Sequence, residues 1–218
     1  MPIKILHFSD FHLDNNHQDW ASSLLNLMIE SINIEHVHPD LILFTGDMLN
    51  KGKGSFCNIE EGFMAFKNQV MTVLCKELGL DSSRFIFVPG NHDIDRSVID
   101  DIEEDGIENR TQSEQDVNNF IHHPQIEKYT QRIQAYKDFE KKTYEALDVN
   151  YHYGRFASTF KIQLGEITIG ILGLNSVWRC GVADENKIVL GKSQITENIQ
   201  TIRDCDIKIA MCHHHYTK

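Results

Sequence analysis

In Leu41-Ile42-Leu43-Phe44-Thr45-Gly46-Asp47, four apolar side chains run without interruption into a glycine and a carboxylate. An unbroken apolar run this short, punctuated in front by Pro39-Asp40, reads as a buried strand. The pattern recurs on either side. Residues 3–8 end in Ser9-Asp10-Phe11-His12, and residues 85–88 break at Pro89-Gly90 before Asn91-His92-Asp93. Between these strands lie two helical stretches. One covers residues 19–34, with Leu24, Leu25, Leu27, Met28 and Ile32 at helical spacing; the other covers residues 59–78 and stops at Gly79. Strands joined by helices predict an α/β fold with a parallel or mixed sheet.

Further along, residues 155–164 and 166–174 read as a hairpin about Gly165, residues 194–203 as a helix, and residues 207–212 as a last buried strand entering His213-His214-His215. Residues 94–150 stand apart. They open with an acidic run (Asp100, Asp101, Glu103, Glu104, Asp105) and continue with helical spacing through Tyr129, Ile133, Tyr136, Phe139 and Tyr144. They are expected to form a helical cap inserted over the sheet edge or the site, with the acidic run solvated.

Composition narrows the function classes. A 218-residue chain with 41% hydrophobic residues can bury the core of one domain. No apolar run reaches the roughly 18–20 residues a membrane span requires, and the opening lacks a signal-peptide pattern, so a cytoplasmic location is expected. Five cysteines without a CxxC pair are expected to be free thiols. The net charge of −11 argues against a surface that tracks along nucleic acid, though not against a site that cuts one phosphate at a time.

Four strand ends therefore deliver metal-ligand side chains to one rim, where α/β sheets build their sites. The set comprises carboxylates, imidazoles and an amide oxygen, which suits Mn²⁺, Fe or Zn²⁺. An extended Asp10-x-His12 would turn both side chains to one side, and the two oxygens of Asp47 can bridge two ions. Gly46 and Gly90 are expected to let the backbone turn sharply beneath those ligands. His7, inside the first strand, is expected in the core. Trp178 and Arg179 are expected to pack or pair rather than hold substrate.

Asp10-x-His12, Gly46-Asp47, Gly90-Asn91-His92-Asp93 and the later strand-end histidine, in this order, resemble the calcineurin-like metallophosphoesterase superfamily over essentially the whole chain. The resemblance implies two β-sheets packed as a sandwich with helices outside. It implies two divalent cations, Mn²⁺ first, with Asp10 and His12 on one, Asn91 and His213 on the other, and Asp47 shared. It implies that His92 contacts the substrate phosphate and assists the leaving group. The implied reaction is hydrolysis of a phosphate ester by a water activated between the two cations. A phosphodiester substrate, nucleotide or nucleic acid, is expected, because the Gly-Asn-His-Asp form is common in the family's nucleases and cyclic-nucleotide enzymes. A phosphomonoesterase and an inert binding module are the competing readings. Asp93, Asn50, Asn175 and His215 are further candidates for touching substrate or supporting the ligands.

Two departures from the family pattern stand out. Asn50 occupies a position where relatives often carry an acid that orients the catalytic histidine. The chain also ends five residues past His213 without the family's Gly-His-x-His motif, so it is expected to be the N-terminal part of a longer protein with further C-terminal domains. Within the histidine triplet, His213 holds the usual ligand position, and strand alternation would send His215 to the same side and His214 to the other.

Overall fold

A computed structural model describes residues 2–181 and 187–215. Three parallel strands, β1 (Ile5–Phe8), β2 (Leu41–Phe44) and β3 (Phe85–Phe87), form the first sheet with β2 central. The helix α1 (Gln18–Ile34) makes the first crossover. The second crossover is one helical rod: α2 (Ile59–Phe66), a π-helical turn at Lys67–Met71, then α3 (Thr72–Glu77). Gly79, at φ +68°, ends the rod, which is the stop its sequence position predicts.

The helices α4 (Asp101–Asn109), α5 (Glu114–Ile121), α6 (Ile126–Tyr129) and the longer α7 (Gln134–Ala146) precede the second sheet, and α8 (Lys192–Thr196) lies between its last two strands. That sheet has the order β4 (Asn150–His152), β5 (Ala157–Leu164), β6 (Ile167–Leu174), β7 (Ile207–Met211). β4, β5 and β6 pair antiparallel, and β7 joins β6 in parallel. Gly165 turns the hairpin between β5 and β6 at φ +61°. The two sheets share one apolar core, in which Ile42, Phe44 and Phe87 of the first meet Phe160, Ile169 and Ile171 of the second.

Several expectations are corrected here. β1 is an edge strand whose side chains are half-exposed rather than buried, and His7 lies exposed with Nε2 2.9 Å from Thr45 Oγ1 instead of in the core. The helices of residues 94–150 divide between two cores. Ile107, Val117 and Phe120 of α4 and α5 pack in a separate core with Phe156 and Trp178, whereas Tyr136, Phe139 and Tyr144 of α7 belong to the main core. Tyr144 also closes the open edge of β3: its hydroxyl accepts the Phe87 N–H at 3.0 Å and donates to the Phe85 carbonyl at 3.3 Å. A covered edge is what keeps a short parallel sheet from pairing elsewhere. Of the acidic run, Glu104 is buried and pairs with Arg132. The helix expected at residues 194–203 divides into α8 and a 3₁₀ turn at Ile199–Ile202.

Trp178 and Arg179 are buried. Trp178 Nε1 donates to the Val189 carbonyl and Arg179 to Thr111 Oγ1, so packing and pairing account for both. The five cysteines are free thiols. Among the described residues, no helix is long and apolar enough to cross a membrane.

Candidate functional site

Beyond the ends of β1 and β2 the chain keeps two segments side by side. Asp10 N–H donates to the Gly46 carbonyl, His12 N–H to Asp47, and Leu13 N–H to Met48, at 2.8–3.0 Å. Asp10, His12 and Asp47 all sit in the left-handed region, at φ +57°, +50° and +58°. Three strained residues of this kind in one place mark a site whose surroundings overdetermine the backbone. The expected extended Asp10-x-His12 is thus replaced by two left-handed kinks. The side chains still meet: His12 Nε2 lies 3.8 Å from Asp10 Oδ1.

Asp47 is the centre of the cluster. Its Oδ2 lies 3.7 Å from His12 Nε2, and its Oδ1 lies 3.6 Å from His213 Nε2. Oδ1 also accepts the His92 N–H at 2.9 Å, which ties the carboxylate to the turn after β3. Gly46 and Gly90 make this approach possible. A Cβ on Gly46 would lie 2.5 Å from Gly90 N, and one on Gly90 would lie 2.1 Å from Asp47 N and Oδ1. The carboxylate is therefore seated directly on a bare glycine backbone.

His213 shows how the fold selects a tautomer. Its Nδ1 lies 2.7 Å from the Thr45 carbonyl, which can only accept, so the ring proton is on Nδ1 and Nε2 is left as an acceptor. That Nε2 faces Asn91 Oδ1 at 3.0 Å together with Asp47 Oδ1. Three acceptors converging without a proton among them make a seat for a cation. On the other side, His12 Nδ1 is buried with no hydrogen-bond partner among the described residues. Two groups of potential ligands result, Asp10–Asp47–His213 and His12–Asp47–His92, each with its atoms within 4.8 Å of one another. The 3.6–3.8 Å separations fit ligands around a common ion, which span at most about 4.4 Å at a bond length of about 2.2 Å. The residues present therefore fit two divalent cations sharing Asp47.

His92 belongs to the second of these groups, its ring centroid 4.8 Å from that of His12. Its Nδ1 accepts the backbone N–H of Lys51 at 3.1 Å. Asn50, the position that departs from the family pattern, instead donates its amide to Asp14 Oδ2 at 3.0 Å. Asp14, missed by the sequence reading, also accepts from Ser55 Oγ and Asn16 N–H, anchoring the loop that carries Lys51. Its place two residues beyond His12 was a usable signal; a backbone donor such as Lys51 N–H leaves none.

Asp93 is fully buried under the site and accepts the Gly90 and Leu49 N–H groups at 2.8 and 3.1 Å. Burial first, then the charge of Asp47, push its carboxyl up to about 7. Asn175 Oδ1 accepts from Val177 N–H and holds its own turn. The neighbouring Ser176 bonds His214, with Oγ 2.9 Å from Nδ1, and the His214 ring stands edge-on against His213 at 4.9 Å between centroids. His215 is exposed, and strand alternation does not govern it because β7 ends at Met211.

The family model described as calcineurin-like phosphoesterase matches residues 3–217. No curated protein matches the chain.

Proposed function

The chain belongs to the calcineurin-like phosphoesterase family, whose members are metal-dependent phosphoester hydrolases, and from that premise we propose that it cleaves a phosphodiester of the nucleotide or nucleic-acid class. Asp10, His12, Asp47, Asn91 and His213 would hold two divalent cations, and the mixed oxygen and nitrogen donors favour Mn²⁺ over a thiolate-seeking metal. One observation carries this reading: Asp47 offers one oxygen to the His12 side and the other to the His213 side.

When bound, such a pair lowers the pKa of a coordinated water and neutralises charge on the phosphate. The chain's own residues do the rest. Thr45 fixes the His213 ring with Nε2 toward Asp47 and Asn91, and the His92 N–H keeps Asp47 in place. With its Nδ1 occupied by the Lys51 N–H, His92 carries its proton on Nε2. There it donates a hydrogen bond to an oxygen of the phosphate or of the departing group. A second ester arm finds room in a cavity of about 330 Å³ lined by Lys51, whose N–H bonds His92, and Arg96, whose side chain bonds the Asn91 carbonyl.

The test combines elemental analysis with turnover of bis(p-nitrophenyl) phosphate against p-nitrophenyl phosphate. Metal binding with preference for the diester is expected; preference for the monoester would overturn the substrate class. His92→Ala should keep its metal content and lose about 10²–10⁴-fold in kcat on a poor leaving group. Loss of metal in that variant would make His92 a ligand instead.

A further inference from the structure

The cavity between the Lys51 loop and the Arg96 turn has an unusual charge environment for so acidic a chain. Lys51, Lys53 and Arg96 line it, and among the described residues none of the three makes an ion pair. Arg96 Nε is buried without a hydrogen-bond partner. The cavity is joined to the metal cluster by two contacts, Lys51 N–H to His92 Nδ1 and Arg96 Nη2 to the Asn91 carbonyl, each 3.1 Å. The loop that carries the lysines is pinned: Gly54 N–H donates to the Asn50 carbonyl and Gly54 accepts from Asn15 N–H.

Two acids also line the cavity, Glu60 and Asp95, and Asp95 already accepts from Ser97. Both acids continue into the adjoining groove, where Glu127 and Asp138 join them. The single cation there, Lys128, is paired with Glu103. The positive region is therefore one pocket deep and closes against a negative wall.

We propose that Lys51, Lys53 and Arg96 form a subsite for a second phosphate on the substrate, and that the substrate is a small phosphodiester bearing that phosphate at its end rather than a nucleic-acid polymer. Unpaired cations beside a buried guanidinium nitrogen suit a phosphate. A longer strand would have to cross the acidic groove, against charge repulsion. The proposal rests on the phosphodiesterase reading and narrows its substrate.

The experiment compares kcat/KM for a thymidine dinucleotide with and without a terminal phosphate, in the parent and in Lys53→Ala. Arg96→Ala is the second variant, although Arg96 also holds the Asn91 carbonyl. The parent should prefer the phosphorylated dinucleotide, and each variant should lower that ratio about tenfold, as expected for one charge-assisted hydrogen bond. An unchanged ratio would overturn the subsite. A kcat/KM that climbs steadily with thymidine oligonucleotide length would overturn the assignment to small substrates. If bis(p-nitrophenyl) phosphate is not turned over at all, the hydrolase reading fails separately. Binding of inorganic phosphate to EDTA-treated protein then decides the subsite: saturable binding weakened in Lys53→Ala supports it, and no binding removes it.

Discussion

Replacing Gly90 with alanine places a methyl group 2.1 Å from both the backbone nitrogen and Oδ1 of Asp47. Ordinary contact begins at 3.4 Å, so Asp47 or the turn after β3 must give way by about 1.3 Å. The turn has little freedom, because Gly90 N–H is bonded to the buried Asp93 and Gly46 packs on its other side. The displacement falls mainly on the Asp47 carboxylate, which is common to both groups of candidate metal ligands. A misplacement of about 1 Å in a catalytic constellation costs about 10²-fold in rate, or close to 3 kcal/mol in the barrier. Overpacking should also lower stability by about 1–3 kcal/mol, which leaves the protein folded if its stability is ordinary. The assay is kcat/KM for bis(p-nitrophenyl) phosphate at saturating Mn²⁺, with metal content by elemental analysis and thermal unfolding as a check on the fold. A Gly90→Ala protein with full metal content and activity within about threefold of the parent would refute the placement of Asp47 at the centre, since about 10² is expected.

Three further substitutions probe other parts of the chain. Gly106, within α4, has nothing within 4 Å of an added Cβ and no positive φ, so Gly106→Ala should raise stability by about 0.5–1 kcal/mol in urea unfolding with turnover unchanged. Lys137 and Glu140 are a buried ion pair, with Lys137 also donating to Ser158 at 3.0 Å. Glu140→Ala strands the ammonium in the core and should cost about 3–5 kcal/mol, measured the same way. The Asp93 carboxyl, pushed up to about 7 from an unfolded value near 3.9, binds a proton in the folded state that the unfolded chain has already released. Asp93 therefore contributes stability to the metal-free protein that is fully present below about pH 4 and is lost as pH rises to about 7, roughly 4 kcal/mol from this group. Asp93→Asn in EDTA should flatten that decline; an identical slope in parent and variant would refute the assignment.

Much of the architecture could be read from local pattern, because short apolar runs and 3.6-residue spacing reflect how each segment buries itself. β2 begins and ends where its four apolar residues do, and the hairpin turns on Gly165 as its composition predicts. What local pattern could not show is the neighbour. β1 and β3 both flank β2, yet β1 is half-exposed with His7 facing out while β3, covered by α7, is buried; what packs on a strand, not composition, decides its exposure. Likewise α7 shares the spacing of the helices before it but packs between β3 and β5.

For the site, the sequence alone determined which side chains are available: Asp10, His12, Asp47, Asn91, His92 and His213 each follow an apolar run at a strand end, where backbone direction carries them to one rim. Only the tertiary structure decided how they are used. The left-handed kinks at Asp10 and His12, the Thr45 carbonyl that fixes His213, and the Lys51 N–H that serves His92 depend on backbone groups, which every residue carries. The convergence of Lys51, Lys53 and Arg96 joins a loop after β2 to a turn after β3. Contacts between such remote segments arise from packing the whole chain, and no periodicity within either segment encodes them.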